Sequence, residues 1–377
     1  MINNRSFFSS LNNSGVNFYS GVPDSLLKDI CAFITDNTSS ENHIISANEG
    51  NAISIGIGHH LATNKIPLIY MQNSGLGNAI NPLLSLADSD VYSIPMILLI
   101  GWRGEPGIAD EPQHKKQGKV TLDLLDTMKI PYEVLSSKTS SEEADRVIKN
   151  TVKLATTLNL PCALLVKKGT FESYKLKLNK PYERALFREE AIEIIINELN
   201  EDDVVVSTTG VASRELFEYR ENKSQSHEKD FLTVGGMGHA SQIALGISIF
   251  KKNRTVFCID GDGAIIMHMG GLAINANNAT GNFKHIVMNN SAHDSVGGQP
   301  TVGNKIDITG LAVSLGYSWS KKVSTKNEII NAMKEIRKIN GPALLELQVK
   351  KGFRADLGRP TVSPIENKKS FMKFLKK

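Results

Sequence analysis

Two spacings of apolar residues alternate along the chain. In the first half the short runs VNFYSGV, HIISA, PLIYM, PMILLIGW and CALLVKKG are rich in aliphatic residues and largely apolar. Between them, DSLLKDICAFITD, EGNAISIGIGHHLAT and EEADRVIKNTVKLATTL carry apolar residues at helical spacing. The second half repeats the alternation, with strands DVVVSTTG, TVFCIDG, KHIVMNN and ALLELQV and helices REEAIEIIINELN, SQIALGISIFKK and KNEIINAMKEIRKI. A strand that is apolar on both faces needs cover on both faces. Alternation with helices therefore predicts an α/β protein of doubly wound parallel sheets. The charged stretch KLKLNKPYERALFREE, with Pro181 inside it, interrupts the pattern. It predicts a linker over 176–190 between domains at 1–175 and 191–377, each long enough to bury its own core.

Composition narrows the class. Hydrophobic residues make up 41% of the chain and charged residues 22%, ordinary values for a globular protein. The net charge of +4 is mild, and no basic run is interleaved with aromatics, so no nucleic-acid partner is expected. The longest apolar strands fall far short of a membrane span, which predicts no membrane partner. Cys31, Cys162 and Cys258 are far apart and form no CxxC pair, which argues against a zinc or redox motif and fits a reducing compartment. The first residues, MINNRSFFSSLNNSG, lack the apolar core of a signal peptide, so a cytoplasmic protein is expected. The lysine-rich NKKSFMKFLKK reads as a solvated C-terminal helix.

In doubly wound sheets ligands sit beyond the carboxyl ends of the strands. The loops there include SGVPD, ANEGN, MQNSGLGN, GWRGEPG, STTG, DGDGA and NNSAHD. One of them poses a problem of charge. An apolar strand ends in Asp260-Gly261-Asp262-Gly263 and a helical pattern follows at once. Glycines let the backbone approach a ligand, and N–H groups at a helix start favour an anion. A carboxylate beside a bound phosphate is tolerable only if a divalent cation lies between them. Magnesium takes one or two carboxylates together with phosphate oxygens. The next strand ends in Asn289-Asn290, whose amide oxygens suit such an ion, and Asn290 lies 28 residues after Asp262. Asp260 is then expected to be structural, satisfied by local N–H groups.

GDG at one strand end and NN at the next resembles the thiamine-diphosphate-dependent decarboxylases. The resemblance spans the whole chain and implies a pyrimidine-binding domain followed by a pyrophosphate-binding domain, without a middle domain. It implies thiamine diphosphate and Mg2+ as cofactors. The metal ligands would be Asp262, the Asn290 side chain and the Ala292 carbonyl. Gly261, Gly263 and the Ala264 N–H would meet the diphosphate, with Thr209-Gly210 as a second diphosphate loop. Gly235 would accept from the 4′-amino group, and Met237 would hold the cofactor bent. Glu49, in IISANEGNAISIGIG, takes the place of the acid that serves the aminopyrimidine ring; read alone, it would only compensate a helix dipole.

The compact arrangement, with SGVPDSLL, GWRGEPGIADEPQHKKQG, TTGVASREL, GDGAIIMHMGGLA and NNSAHDSVGGQPT, is similar to the family branch that decarboxylates phosphonopyruvate, with the sulfopyruvate enzymes nearby. A doubly charged phosphonate and a carboxylate call for fixed cations and many donors. Arg103, His114, Ser74 and His293 are the candidate substrate contacts, with Gln113, Lys115, Lys116, Gln117 and Asp294 as further polar groups. Asp24 and His114 join Glu49 as candidate catalytic residues; the alternative for Asp24 is a helix N-cap. The glycines of NNSAHDSVGGQPT predict a flexible lid, while His59 and His60 lie within a helix and read as structural. The resemblance also implies a homo-oligomer, at least a dimer, with active sites between chains. A Rossmann dehydrogenase is disfavoured because no GxGxxG follows the first strand. A carboligase of the acetolactate-synthase type would need a middle domain.

Overall fold

The computed structural model describes residues 1–177 and 182–377, so part of the expected linker, residues 178–181, lies outside the described residues. The chain separates into two compact units, 1–179 and 180–377. Among the described residues each unit contains one six-stranded parallel sheet.

In the first unit the strands are β1 (Tyr19–Gly21), β2 (His43–Ile45), β3 (Leu68–Gln72), β4 (Met96–Gly101), β5 (Tyr132–Leu135) and β6 (Pro161–Val166). They lie in the order β2-β1-β3-β4-β6-β5. The second unit holds β7 (Val204–Ser207), β8 (Asp230–Leu232), β9 (Val256–Gly261), β10 (Phe283–Asn289), β11 (Trp319–Val323) and β12 (Ala343–Gln348). Its order, β11-β12-β10-β9-β7-β8, is the same topology read from the other edge, although no repeat is visible in the sequence.

Why these strands are apolar throughout is clear from the packing. In β4, Ile97 and Leu99 face one core cluster and Met96, Leu98 and Ile100 face another. In β9, Phe257 and Ile259 face one cluster and Val256 and Cys258 the other. Alternate side chains point to opposite faces, and helices cover both. The strands β5, β8 and β11, absent from the expected pattern, are short or half-exposed. β5 and β11 are sheet edges with few buried residues. An edge strand needs little apolar surface, so its periodicity is weak.

All strands run parallel, so their carboxyl ends share one edge of each sheet. The chain reverses direction across the sheet between β1 and β3 in the first unit and between β7 and β9 in the second. These switch points are where doubly wound sheets open a crevice. No helix among the described residues is long and apolar enough to cross a membrane.

Candidate active site

The first unit gathers Asp24, Glu49, Ser74 and Arg103 from the loops after β1, β2, β3 and β4. Asp24 is fully buried. It is not a helix N-cap, because the following helix starts at Lys28 with Leu27 as its cap. Instead its Oδ1 accepts the Leu26 N–H at 2.9 Å and its Oδ2 accepts Gln72 Nε2 at 2.6 Å. Gln72 Oε1 in turn accepts the Ser74 hydroxyl at 2.7 Å. Burial raises the Asp24 pKa above the usual carboxyl range, against these hydrogen bonds. Gly101 leaves room for this carboxylate: a Cβ there would lie 2.9 Å from Asp24 Cγ.

Glu49 opens the helix Glu49–Thr63, whose N-cap Asn48 accepts the Asn51 N–H. It is 5% exposed, and burial raises its pKa despite the Asn78 hydrogen bond. Asn78 Nδ2 donates to Glu49 Oε2 at 2.8 Å. Gly75 lies against the side chain, where a Cβ would come within 2.6 Å of Glu49 Cγ and Cδ. The carboxyl is therefore wedged, oriented and pushed toward its protonated form.

Arg103 is already committed. Its Nε and Nη2 grip Asp110 at 2.8 and 2.5 Å, and Nη1 donates to Ser25 Oγ at 2.7 Å. Asn73 ties this loop to β3 through the Arg103 N–H and carbonyl, at 3.1 and 2.8 Å. The stretch from Gln113 to Gln117 is not a loop but the start of the helix Pro112–Thr127. His114 is buried there, while Lys115 and Lys116 are exposed. His59 stacks on Phe18 with ring centroids 4.5 Å apart, and the His60 ring contacts the Lys65 carbonyl.

The second unit gathers the loops after β7, β8, β9 and β10. Gly210 has φ +92° and ψ −135°, a conformation reserved for glycine, and a Cβ there would sit 3.8 Å from Ser295. Gly235 and Met237 are partly buried in the turn before the helix Ala240–Phe250. In the same turn Gly238 packs so closely that a Cβ would lie 2.8 Å from the Ala264 carbonyl oxygen. Asp262 is 2% exposed and accepts the Thr301 hydroxyl together with N–H groups of Asn290 and Gly263. Burial nevertheless pushes its pKa up to about 6. A buried carboxylate that retains this penalty suits a cation.

Asn290 Oδ1 accepts the Ala292 N–H at 3.0 Å. Between them Ser291 adopts φ +56°, a left-handed turn supported by two bonds to Asn289 Oδ1 at 3.0 and 3.1 Å. Such strain clusters at functional sites. A Cβ at Gly261 would point into open space. The donor set of Asp262, Asn290 and the adjacent Ala292 backbone, all oxygen, fits magnesium.

The expected lid is a hairpin, with an Ala292–Pro300 bridge and a tip of Gly297 and Gly298 at positive φ. Lys351 Nζ donates to the Gly298 carbonyl at 2.5 Å. His293 lies over Gly263, with Cε1 3.1 Å from the position of a Cβ there, and burial lowers its pKa to about 4. Its ring is therefore neutral at neutral pH. Asp294 turns away to Asn290, Arg188 and Gly352. Local N–H groups account for only one oxygen of Asp260: Oδ1 accepts the Gly261 N–H at 3.1 Å, while Oδ2 lies 3.6 Å from His285 Nε2.

Sequence reasoning missed Gln72, Gly75, Asn78, Thr301 and Arg188. The first three lie in MQNSGLGN, a loop whose polar and glycine content was itself a signal. Thr301 closes the stretch NNSAHDSVGGQPT, whereas Arg188 reaches the site only through tertiary packing.

Two family models match the chain. The N-terminal TPP-binding domain of thiamine pyrophosphate enzymes matches residues 4–127, and the C-terminal TPP-binding domain matches 208–347. The chain is 31% identical to a phosphonopyruvate decarboxylase of Streptomyces viridochromogenes, covering 100% of this chain and 95% of that protein. It is 31% identical to that of Streptomyces hygroscopicus, over 99% of this chain and 94% of the relative. A sulfopyruvate decarboxylase of Methanosarcina acetivorans is 26% identical over 96% of this chain and 95% of its own length. With an acid wedged in one unit and an oxygen-lined turn in the other, the chain belongs to the thiamine-diphosphate-dependent enzymes and is a keto-acid decarboxylase of that family.

Proposed function

We propose that the chain decarboxylates 3-phosphonopyruvate to phosphonoacetaldehyde and CO2, using Mg2+, in the biosynthesis of phosphonates such as 2-aminoethylphosphonate. The observation that carries this reading is full-length identity to two phosphonopyruvate decarboxylases, above that to the sulfopyruvate enzyme. Bound thiamine diphosphate supplies a carbon nucleophile and an electron sink for the bond to the lost carboxylate. Asp262, the Asn290 amide oxygen and the Ala292 carbonyl hold the metal. Gly261, Gly263, Ala264, Thr209 and Gly210 admit the diphosphate, and Gly235 and Met237 receive the pyrimidine end.

Glu49 holds a proton against the aminopyrimidine ring, which suits its raised pKa. Asp24, also raised, holds a proton for the product and is steadied by Gln72. Ser74, His114 and His293 are assigned to the substrate as polar contacts, Ser74 through its hydroxyl oxygen, because its hydrogen is donated to Gln72. Arg103 contributes the second N–H of Nη1, because Nε and Nη2 are committed to Asp110 and the first Nη1 N–H to Ser25.

The acid and the metal residues lie in separate compact units. We assign them to active sites between two copies of the chain, a homodimer at minimum. Three free buried cysteines fit a cytoplasmic setting.

The test supplies phosphonopyruvate, sulfopyruvate and pyruvate separately, with Mg2+ or with EDTA, and follows aldehyde release. Preference for phosphonopyruvate, lost with EDTA and in Glu49→Ala, is expected. Preference for sulfopyruvate would overturn the substrate while leaving the chemistry. Full activity after complete metal removal would overturn the role of Asp262.

A further inference from the structure

Asp294 lies beside the candidate metal turn, four residues after Asn290. Its side chain is 5% exposed. Its Oδ2 takes three donors: Asn290 Nδ2 at 2.6 Å, the Gly352 N–H at 3.0 Å and Arg188 Nη1 at 3.3 Å. Arg188 is equally enclosed, 8% exposed at its side chain, and its Nε and Nη2 are held by Glu215 at 2.7 and 3.1 Å. The carboxylate thus knits the turn after β10 to the helix Arg188–Asn197 and the segment after β12, and through Arg188 to Glu215 of the helix Val211–Asn222.

An asparagine amide presents oxygen on one side and N–H2 on the other, and two orientations compete unless the surroundings choose. Here the choice is enforced. Flipping Asn290 would set its oxygen against a carboxylate oxygen at hydrogen-bond distance. It would also aim N–H2 at the Ala292 N–H, which the present oxygen accepts at 3.0 Å. Arg188 holds Asp294 from the far side, so the carboxylate cannot swing away without leaving a buried guanidinium partly unpaired. The bond to a charged acceptor also polarises the amide and enriches its oxygen.

We propose that Asp294, braced by Arg188, is a positioning residue that keeps the Asn290 amide oxygen turned toward the divalent cation and so sets the metal affinity of this turn. The proposal rests on Asn290 being a metal ligand. Groups that orient a ligand in this way are worth about 10–100-fold in metal affinity.

The full-length protein with thiamine diphosphate is titrated with Mn2+ by electron paramagnetic resonance and with Mg2+ by calorimetry. Asp294→Ala is expected to weaken metal binding about 10–100-fold. Asp294→Asn, which can still offer an oxygen to Asn290, is expected to lose less. At saturating Mg2+, kcat should return toward wild type, which a merely structural lesion would not allow. If Asp294→Ala does not fold, Asp294→Ser, whose shorter side chain cannot reach Asn290 as closely, gives the same comparison. Asn290→Ala separates the two claims. Unchanged metal affinity in Asn290→Ala would overturn the ligand assignment itself. Weakened affinity there, with wild-type affinity in a folded Asp294→Ala or Asp294→Ser, would overturn the positioning role alone.

Discussion

Gly75→Ala isolates the position of the Glu49 carboxyl from its chemistry. Gly75 has φ −71° and ψ −15°, so alanine is conformationally acceptable there. The new methyl carbon would stand 2.6 Å from Glu49 Cγ and Cδ. Nonbonded carbons rest about 3.5–4.0 Å apart, so the acid must retreat by about 1 Å. A displacement of that size costs on the order of 100-fold in rate, about 2.7 kcal/mol of barrier. Stability should suffer less. Overpacking costs about 1–3 kcal/mol, and the lower chain entropy of alanine returns about 0.4–1 kcal/mol. A net loss of about 0–2.6 kcal/mol lowers Tm by at most roughly 10 °C for a unit of this size, leaving the protein folded in the assay. Steady-state decarboxylation and thermal melts are measured on Gly75→Ala, Glu49→Ala and the double variant. The methyl acts through Glu49, so it should cost nothing further once Glu49 is gone. A folded Gly75→Ala with kcat/KM within about threefold of wild type would refute the reasoning, because the acid would then not need its present place.

Gly210→Ala tests the diphosphate loop by backbone strain alone, since among the described residues no neighbour lies closer than 3.8 Å to the new Cβ. Forcing alanine to φ +92° should cost about 1–3 kcal/mol of stability and weaken thiamine diphosphate binding, read by melting and calorimetry. Unchanged cofactor affinity would place the diphosphate elsewhere. Lys284, 1% exposed and bonded to the Ile339 and Gly341 carbonyls, has its pKa lowered by burial from 10.5 to about 8. The unfolded chain keeps this proton over a range where the folded chain has lost it. Stability relative to Lys284→Met should therefore rise with pH between about 8 and 10.5. Denaturant melts at several pH values check this, and a difference independent of pH would disprove it.

The sequence by itself determined the α/β class, the two sheets and the strand ends that carry polar loops. Runs such as PMILLIGW and TVFCIDG are apolar on both faces, and only a sheet covered on both sides accepts them. It also pointed to Asp262 and Asn290, because two consecutive strands of a parallel sheet must end at the same edge. The edge strands β5, β8 and β11 were not legible: β5 and β11 are half-exposed and carry little period, and β8 has only three residues. Contacts made across the fold were equally hidden. Nothing in the one-dimensional pattern says that Asp110 occupies two donors of Arg103, that Asn78 and Gly75 wedge Glu49, or that Arg188 reaches Asp294 across 106 positions. The loops could be located by period alone, because period reflects burial. Which side chain each loop group turns toward was decided only by tertiary packing, which sets distances and desolvation and through them the pKa values of Asp24, Glu49 and Asp262.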